Sequence, residues 1–219
     1  MIITKQKPFN EILDALKGYN KIFLVGCGEC ATACATGGEK EIAKIKQDLE
    51  AAGKIISGAV IPDSVCVSSK IKIELAKNIK ALKDSDAVLV MACGLAAQSM
   101  KDNDRFGITV IAGCNSLCGA LMDAAGNFFE KCSMCAECLL NETAGICPVT
   151  LCSKSLLNGP CGGMDKGKCE VDKERDCAWV LIYKELEKKN KLSAFRKIKG
   201  AKDHSKAIKP RKISMTKSE

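Results

Sequence analysis

Histidine is nearly absent from this chain of 219 residues: there is one, His204. That excludes His-based triads and paired His acid–base chemistry. Aromatic residues make up only 4%, too few for the stacking platforms of single-stranded nucleic-acid binders. The longest apolar run, "AVLVMACGLAA" at residues 87–97, is 11 residues long and too short to span a bilayer. No G-x-x-x-x-G-K-[ST] loop occurs, and the "GCGEC" of residues 26–30 lacks the third glycine of a dinucleotide fingerprint. Asp and Glu are scattered over helical faces, where solvated charge is their usual role. No catalytic residue set emerges, so the chain is expected to be non-catalytic on its own.

Cysteine is what the sequence has in excess, with 15 residues. Disulfides need an oxidising compartment. The N-terminal stretch "MIITKQKPFNEILDALKG" has neither an apolar h-region nor a cleavage site. A cytoplasmic address with reduced thiols is expected, and there cysteine spacings read as metal ligation.

The formal charge of +8 is unevenly spread. Residues 188–219 carry +10 and residues 1–187 carry −2. The basic segment has no apolar periodicity, so it reads as a solvated, flexible tail. Without a recognisable binding fold, nucleic acid is not an expected partner.

Residues 1–119 alternate strand and helix patterns. "KIFLVGC", "KIISGAVIPDSVC", "DAVLVMACG" and "GITVIAGCN" read as strands, the second breaking at Pro62. "EKEIAKIKQDLEAAG" places Ile42, Ile45 and Leu49 at helical spacing before Gly53. "SSKIKIELAKNIKALKDSD" reads as a further helix with Leu75, Ile79 and Leu82 on one face. The series predicts an α/β fold, a Rossmann-like parallel sheet with helices on both faces. Cys27, Cys66, Cys93 and Cys114 then fall at or just past strand carboxyl ends, where open parallel sheets bind ligands. Single cysteines are also ordinary small core residues, so both roles stay open for Cys66 and Cys114.

Cys27, Cys30 and Cys34 form a C-x₂-C-x₃-C loop within "GCGECATACATGG". Its glycines permit turns and close backbone approach, and glycine-rich backbone offers N–H donors to cluster sulfur. Three thiols imply a fourth ligand, for which Cys93 in "MACG" is the candidate. From 120 to 187 the pattern turns irregular and cysteine-rich. Cys132, Cys135, Cys138, Cys147, Cys152, Cys161, Cys169 and Cys177 stand within 46 residues, beginning C-x₂-C-x₂-C and including Cys147-Pro148. Half of a bacterial ferredoxin motif has this form, with a shorter last gap. Eight thiols make two four-cysteine sites: two [4Fe–4S] clusters, or one cluster and one structural Zn²⁺. Ligands shared crosswise are compatible with the spacing. So little apolar periodicity suggests that metal binding supplies the folding energy of this segment.

The blocks "VGCGECATAC…GGEKEI", "ACG", "CSMCAECLL…GICPVTLCSKSLLNGPCGG" and "GKCEVDKERDCAWVLIY" together resemble the cysteine-rich C-terminal domain associated with methylenetetrahydrofolate reductases. In acetogens that domain occurs as a separate small iron–sulfur subunit of the MetV type. The resemblance spans roughly residues 5–187 and implies the same ligands: Cys27, Cys30, Cys34, Cys93 and the eight C-terminal cysteines. It implies an iron–sulfur subunit that can also hold zinc. The thiol sets themselves suit two or three [4Fe–4S] clusters, with Zn²⁺ able to replace one in the C-terminal segment, and no flavin signature occurs in this chain. It further implies a flavin-bearing TIM-barrel partner that reduces methylenetetrahydrofolate, with further electron-transfer subunits able to join. Cys66, Cys114 and Cys118 lie outside the motif, and "CGLAAQ" at residues 93–98 stands where the family pattern reads "CGVGVQ". The rival readings are a zinc-only structural subunit of the same complex and a corrinoid or metal-delivery protein of one-carbon metabolism.

Overall fold

A computed structural model describes residues 1–213. The chain runs β1 (Ile2–Gln6), α1 (Phe9–Ala15), β2 (Lys21–Val25), α2 (Cys30–Ala33), α3 (Glu39–Ala51), β3 (Ile55–Val60), α4 (Ser68–Lys77), α5 (Ile79–Lys83), β4 (Ala87–Val90), α6 (Gly94–Asn103), β5 (Thr109–Ala112) and β6 (Cys114–Met122). It continues with β7 (Phe128–Cys132), α7 (Pro148–Leu151) and α8 (Ala178–Lys188), then two short 3-10 turns, Leu192–Arg196 and His204–Ala207. It divides into two units, Met1–Cys118 and Gly119–Glu219.

In the first unit β2, β3, β4 and β5 form the expected parallel sheet, in the order β3-β2-β4-β5. The period of two along each strand sorts the core. Phe23, Val25, Val88 and Val90 enter one buried cluster with Ile71, Leu75, Leu82 and Met100 from α4, α5 and α6. Ile22, Leu24, Ala87 and Leu89 enter the other, with Ile12 from α1 and Ile42, Ile45 and Leu49 from α3. Helices therefore cover both faces, and the near-continuous apolar strands follow from burial on both sides.

Two local details differ from the periodicity. The long helix expected over residues 68–86 is divided at Asn78, whose side chain donates to the Glu74 carbonyl at 3.0 Å. That side-chain bond satisfies one of the helix's terminal carbonyls. Ile79 consequently leaves the buried face and is 43% exposed. The second detail is β1, which carries no clear alternation. It pairs with β6, and Thr4 bonds Thr36 at 2.6 Å, fastening the N-terminus beside the loop that precedes α3.

In the second unit Gly119–Met122 pairs antiparallel with β7, a hairpin in what reads as irregular sequence. The Asp123 carboxylate holds its turn, accepting from the Ala125 and Asn127 backbone and the Asn127 side chain. Beyond it the buried core is small. Trp179, Ile182 and Leu186 on α8, with Cys177, form it, and Phe195 meets Trp179 edge-on at 5.7 Å. The described part of the basic segment makes further contacts here: Lys199 with Glu142, Lys202 with the Glu137 carbonyl, and Lys206 with Glu137. The rest of the segment expected to be a flexible tail, residues 214–219, lies outside the described residues. No described helix is long and apolar enough to cross a membrane.

Candidate metal centres

The chain leaves β2 at Val25 and enters a loop that only glycine can build. Gly26 donates to the Val60 carbonyl at 2.8 Å, and Cys27 to the Gly37 carbonyl at 3.0 Å. A Cβ at Gly37 would stand 1.6 Å from the Met91 carbonyl oxygen, and one at Gly26 would stand 2.3 Å from that of Gly37. The loop is thereby pressed against the carboxyl ends of β3 and β4. Cys27 and Cys93 are buried there, while Cys30 and Cys34 are half-buried. Cys93 is the N-cap of α6, and Cys30 opens the single turn α2.

The remaining strand ends bring Cys66 and Cys114 to the same edge. Burial pushes the exposed-side thiol of Cys66 up, and Cys27, Cys93 and Cys30 push it further. Burial also pushes Cys114 up to about 12, with Cys93 and Cys34 adding to it against a Thr36 hydrogen bond. Cys66 thus senses Cys27, Cys30 and Cys93, while Cys114 senses Cys34 and Cys93. Donors to sulfur are also present: the Ile2 backbone N–H reaches Cys30 Sγ at 3.4 Å. Because β1 has no periodic signature, that donor is not legible in the sequence.

The C-terminal cysteines occupy loops and helix caps. Cys132 ends β7, and Cys135 and Cys138 follow in a loop where Met134 and Ala136 adopt positive φ, 52° and 63°. Such backbone costs energy and persists where surroundings impose it. The Met134 N–H donates to Cys132 Sγ at 3.3 Å. Lys202 donates to Cys135 Sγ at 3.1 Å, a contact absent from any local spacing because 67 residues separate the two. A backbone hydrogen bond at Glu137 lowers the Cys135 thiol below its ordinary value, and Lys202 adds to that. Cys147 and Cys152 are the N- and C-caps of α7, and Cys177 is the buried N-cap of α8. Cys152, Cys161, Cys169 and Cys177 line one cavity, with Trp179 in its wall. Backbone hydrogen bonds at Val171 and Asp172 lower Cys169, and Cys161 Sγ lies 3.0 Å from the Glu170 carboxylate.

All twelve candidate ligands are free thiols. Among the described residues, no three His, Cys, Asp or Glu side chains converge as a single bound metal ion would require. Tetrahedral zinc needs four donors about 2.3 Å from one point, whereas a [4Fe–4S] cluster takes its thiolates on separate irons. The all-sulfur donor sets, backbone donors to sulfur and partial burial suit a soft metal or cluster. Four of these cysteines stand at helix N-termini, Cys30, Cys93, Cys147 and Cys177, although the Gly94 N–H beside Cys93 is taken by Ser116 Oγ at 2.8 Å.

Residues 111–205 match a protein-family model described as methylene-tetrahydrofolate reductase C terminal. The match contains all eight C-terminal candidate ligands and leaves Cys27, Cys30, Cys34 and Cys93 outside it. No curated protein and no solved structure matches the chain.

Proposed function

We propose that this chain is the iron–sulfur accessory subunit of a methylenetetrahydrofolate reductase, similar to the MetV type, and that it passes electrons to or from the flavin of a TIM-barrel partner. The observation that carries the reading is the family match over residues 111–205, within which eight thiols are held on caps and loops. The match associates the segment with such reductases; the electron-transfer role rests on the thiol chemistry.

Cys27, Cys30, Cys34 and Cys93 would hold one [4Fe–4S] cluster at the carboxyl edge of the parallel sheet. Cys132, Cys135, Cys138, Cys147, Cys152, Cys161, Cys169 and Cys177 would hold two more centres; zinc in place of one would need its four thiols to draw closer together than they stand here. When bound, such clusters supply one-electron transfer, with potentials set by burial and hydrogen bonds to sulfur. The protein's own part is to exclude water with the β2–β4 core and to aim backbone N–H groups at sulfur. Two electrons and two protons convert methylenetetrahydrofolate to methyltetrahydrofolate. No residue set in this chain suits that step, so it falls to the flavin partner.

Reconstitution tests the reading. Purified anaerobically, the chain should be brown, contain iron and acid-labile sulfide, and lack flavin. With reduced viologen it should not reduce methylenetetrahydrofolate until the partner is added. Turnover by the isolated chain, or a partner indifferent to loss of the clusters, would overturn the proposal. A colourless chain containing only zinc would instead favour the structural subunit.

A further inference from the structure

The C-x₂-C-x₂-C…C-P spacing permits ligands to be exchanged between sites, as in two-cluster ferredoxins, and the fold of the second unit bears directly on whether they are. Cys147 and Cys152 cap opposite ends of α7, a single helical turn. Five positions along an α-helix separate two residues by about 7.5 Å along the axis and about 140° around it. The two cysteines therefore stand at opposite ends of the turn, both on extended backbone. Cys152 lines the cavity shared with Cys161, Cys169 and Cys177, and Cys147 is not part of its wall. Four cysteines thus line that cavity, as many as one [4Fe–4S] cluster takes on its separate irons. α7 also packs against β7, whose last residue is Cys132. Cys135 and Cys138 follow in the adjoining loop, beside which the basic segment places Lys202 on Cys135.

Resting on the metal-binding reading above, we propose that the second unit carries two self-contained metal sites: Cys132, Cys135, Cys138 and Cys147 hold one, Cys152, Cys161, Cys169 and Cys177 the other, and no ligand is exchanged between them. The two differ in shielding. Cys132 and Cys138 are exposed in the first set; in the second Cys161 alone is exposed, Cys177 is buried, and Leu151 and the buried Trp179 stand in the cavity wall. An apolar shell limits access of solvent and chelator to a metal. The Cys132 site therefore loses its metal first, and the cavity site last.

The test uses the full chain purified anaerobically. Iron, zinc and sulfide are counted in the unaltered chain and in Cys161→Ser, Cys161→Ser/Cys169→Ser and Cys135→Ser/Cys169→Ser. The first two variants should lose the metal of one centre and of the same one; the third should lose two. Removal of two centres by Cys161→Ser/Cys169→Ser, or of only one by Cys135→Ser/Cys169→Ser, overturns the assignment. Because a variant can fail to fold, the unaltered chain is also alkylated during graded chelation, with the modified cysteines located by peptide mass spectrometry. Cys132, Cys135, Cys138 and Cys147 should react together, before Cys152, Cys161, Cys169 and Cys177 react together. Cys147 reacting with the second group, or the cavity group reacting first, sinks the proposal. If all eight react before any chelator is added and no metal is found, the metal-binding reading itself fails and the pairing with it. Metal present with the wrong grouping overturns the pairing alone.

Discussion

Lys202 and Gly37 show how single residues can act on a thiol site without ligating anything. Lys202 places an ammonium 3.1 Å from Cys135 Sγ. A cluster gains negative charge on reduction, so a cation at a ligand sulfur raises its potential. If Cys135 ligates a cluster as proposed, replacing Lys202 by Met should lower its potential by tens of millivolts, given that a tenfold change in a one-electron equilibrium is about 59 mV. Lys202→Arg should retain most of the effect. Spectroelectrochemical titration reads both, and an unchanged potential in the Met variant would remove Lys202 from the site. At Gly37 the limit is steric. A methyl group there would lie 1.6 Å from the Met91 carbonyl oxygen, which is backbone and cannot swing aside. Gly37→Ala should cost about 3 kcal/mol and, if Cys27 ligates a cluster as proposed, strip iron from that site. Gly94→Ala, whose Cβ meets nothing nearer than Ser116 Oγ at 3.5 Å, should leave stability nearly unchanged. Thermal unfolding of the two variants provides the comparison.

Among the elements, the entry edge of the parallel sheet depends on one carboxylate. Asp86, just before β4, accepts the backbone N–H groups of Asn20 and Lys21 at 2.8 Å each, aligning β4 with β2. These bonds, first the one from Lys21, hold the Asp86 carboxyl below its usual range. A depressed folded pKa contributes stability that is present above the unfolded value of about 3.9. That contribution is lost as pH falls through the lower folded value. Asp86→Asn should therefore reduce stability at neutral pH and weaken its decline on acidification, as followed by chemical denaturation at a series of pH values. If the variant keeps the parent's acid profile, the carboxylate contacts contribute nothing to acid sensitivity. The helices are legible to different degrees for equally local reasons. α3 has three apolar residues on one face, all buried, whereas the pattern across α4 and α5 conceals a break at Asn78.

For the whole molecule, the two units differ in how much core they can call on. Among the described residues, the first has two buried clusters against the faces of its sheet, and the second has one, of four residues that include Trp179. So little apolar burial leaves room for bound metal to add to the stability of this unit. If the second unit binds metal as proposed, removing it from the anaerobic chain should make residues 132–177 protease-sensitive while residues 5–115 stay resistant. Peptide mapping after limited digestion measures this. Equal resistance of both regions would mean that packing around α8, with Phe195 against Trp179, suffices without metal.

The amino-acid sequence by itself determined the parallel sheet, because strands buried on both faces must be continuously apolar and the helices between them amphipathic. It also determined the thiol-rich character of the candidate sites, since C-x₂-C spacings are local. Tertiary structure alone decided what depends on residues far apart in the chain. β1 is held by Thr4 on Thr36 and by pairing with β6 rather than by any periodicity of its own. Cys66 and Cys114 reach the neighbourhood of Cys93 only because four parallel strands bring their carboxyl ends to one edge. Cys152 joins Cys161, Cys169 and Cys177 around one cavity, and Lys202 reaches Cys135 across 67 residues. Periodicity reports the environment along a single element, whereas the partners of a thiol are set by how separate segments pack.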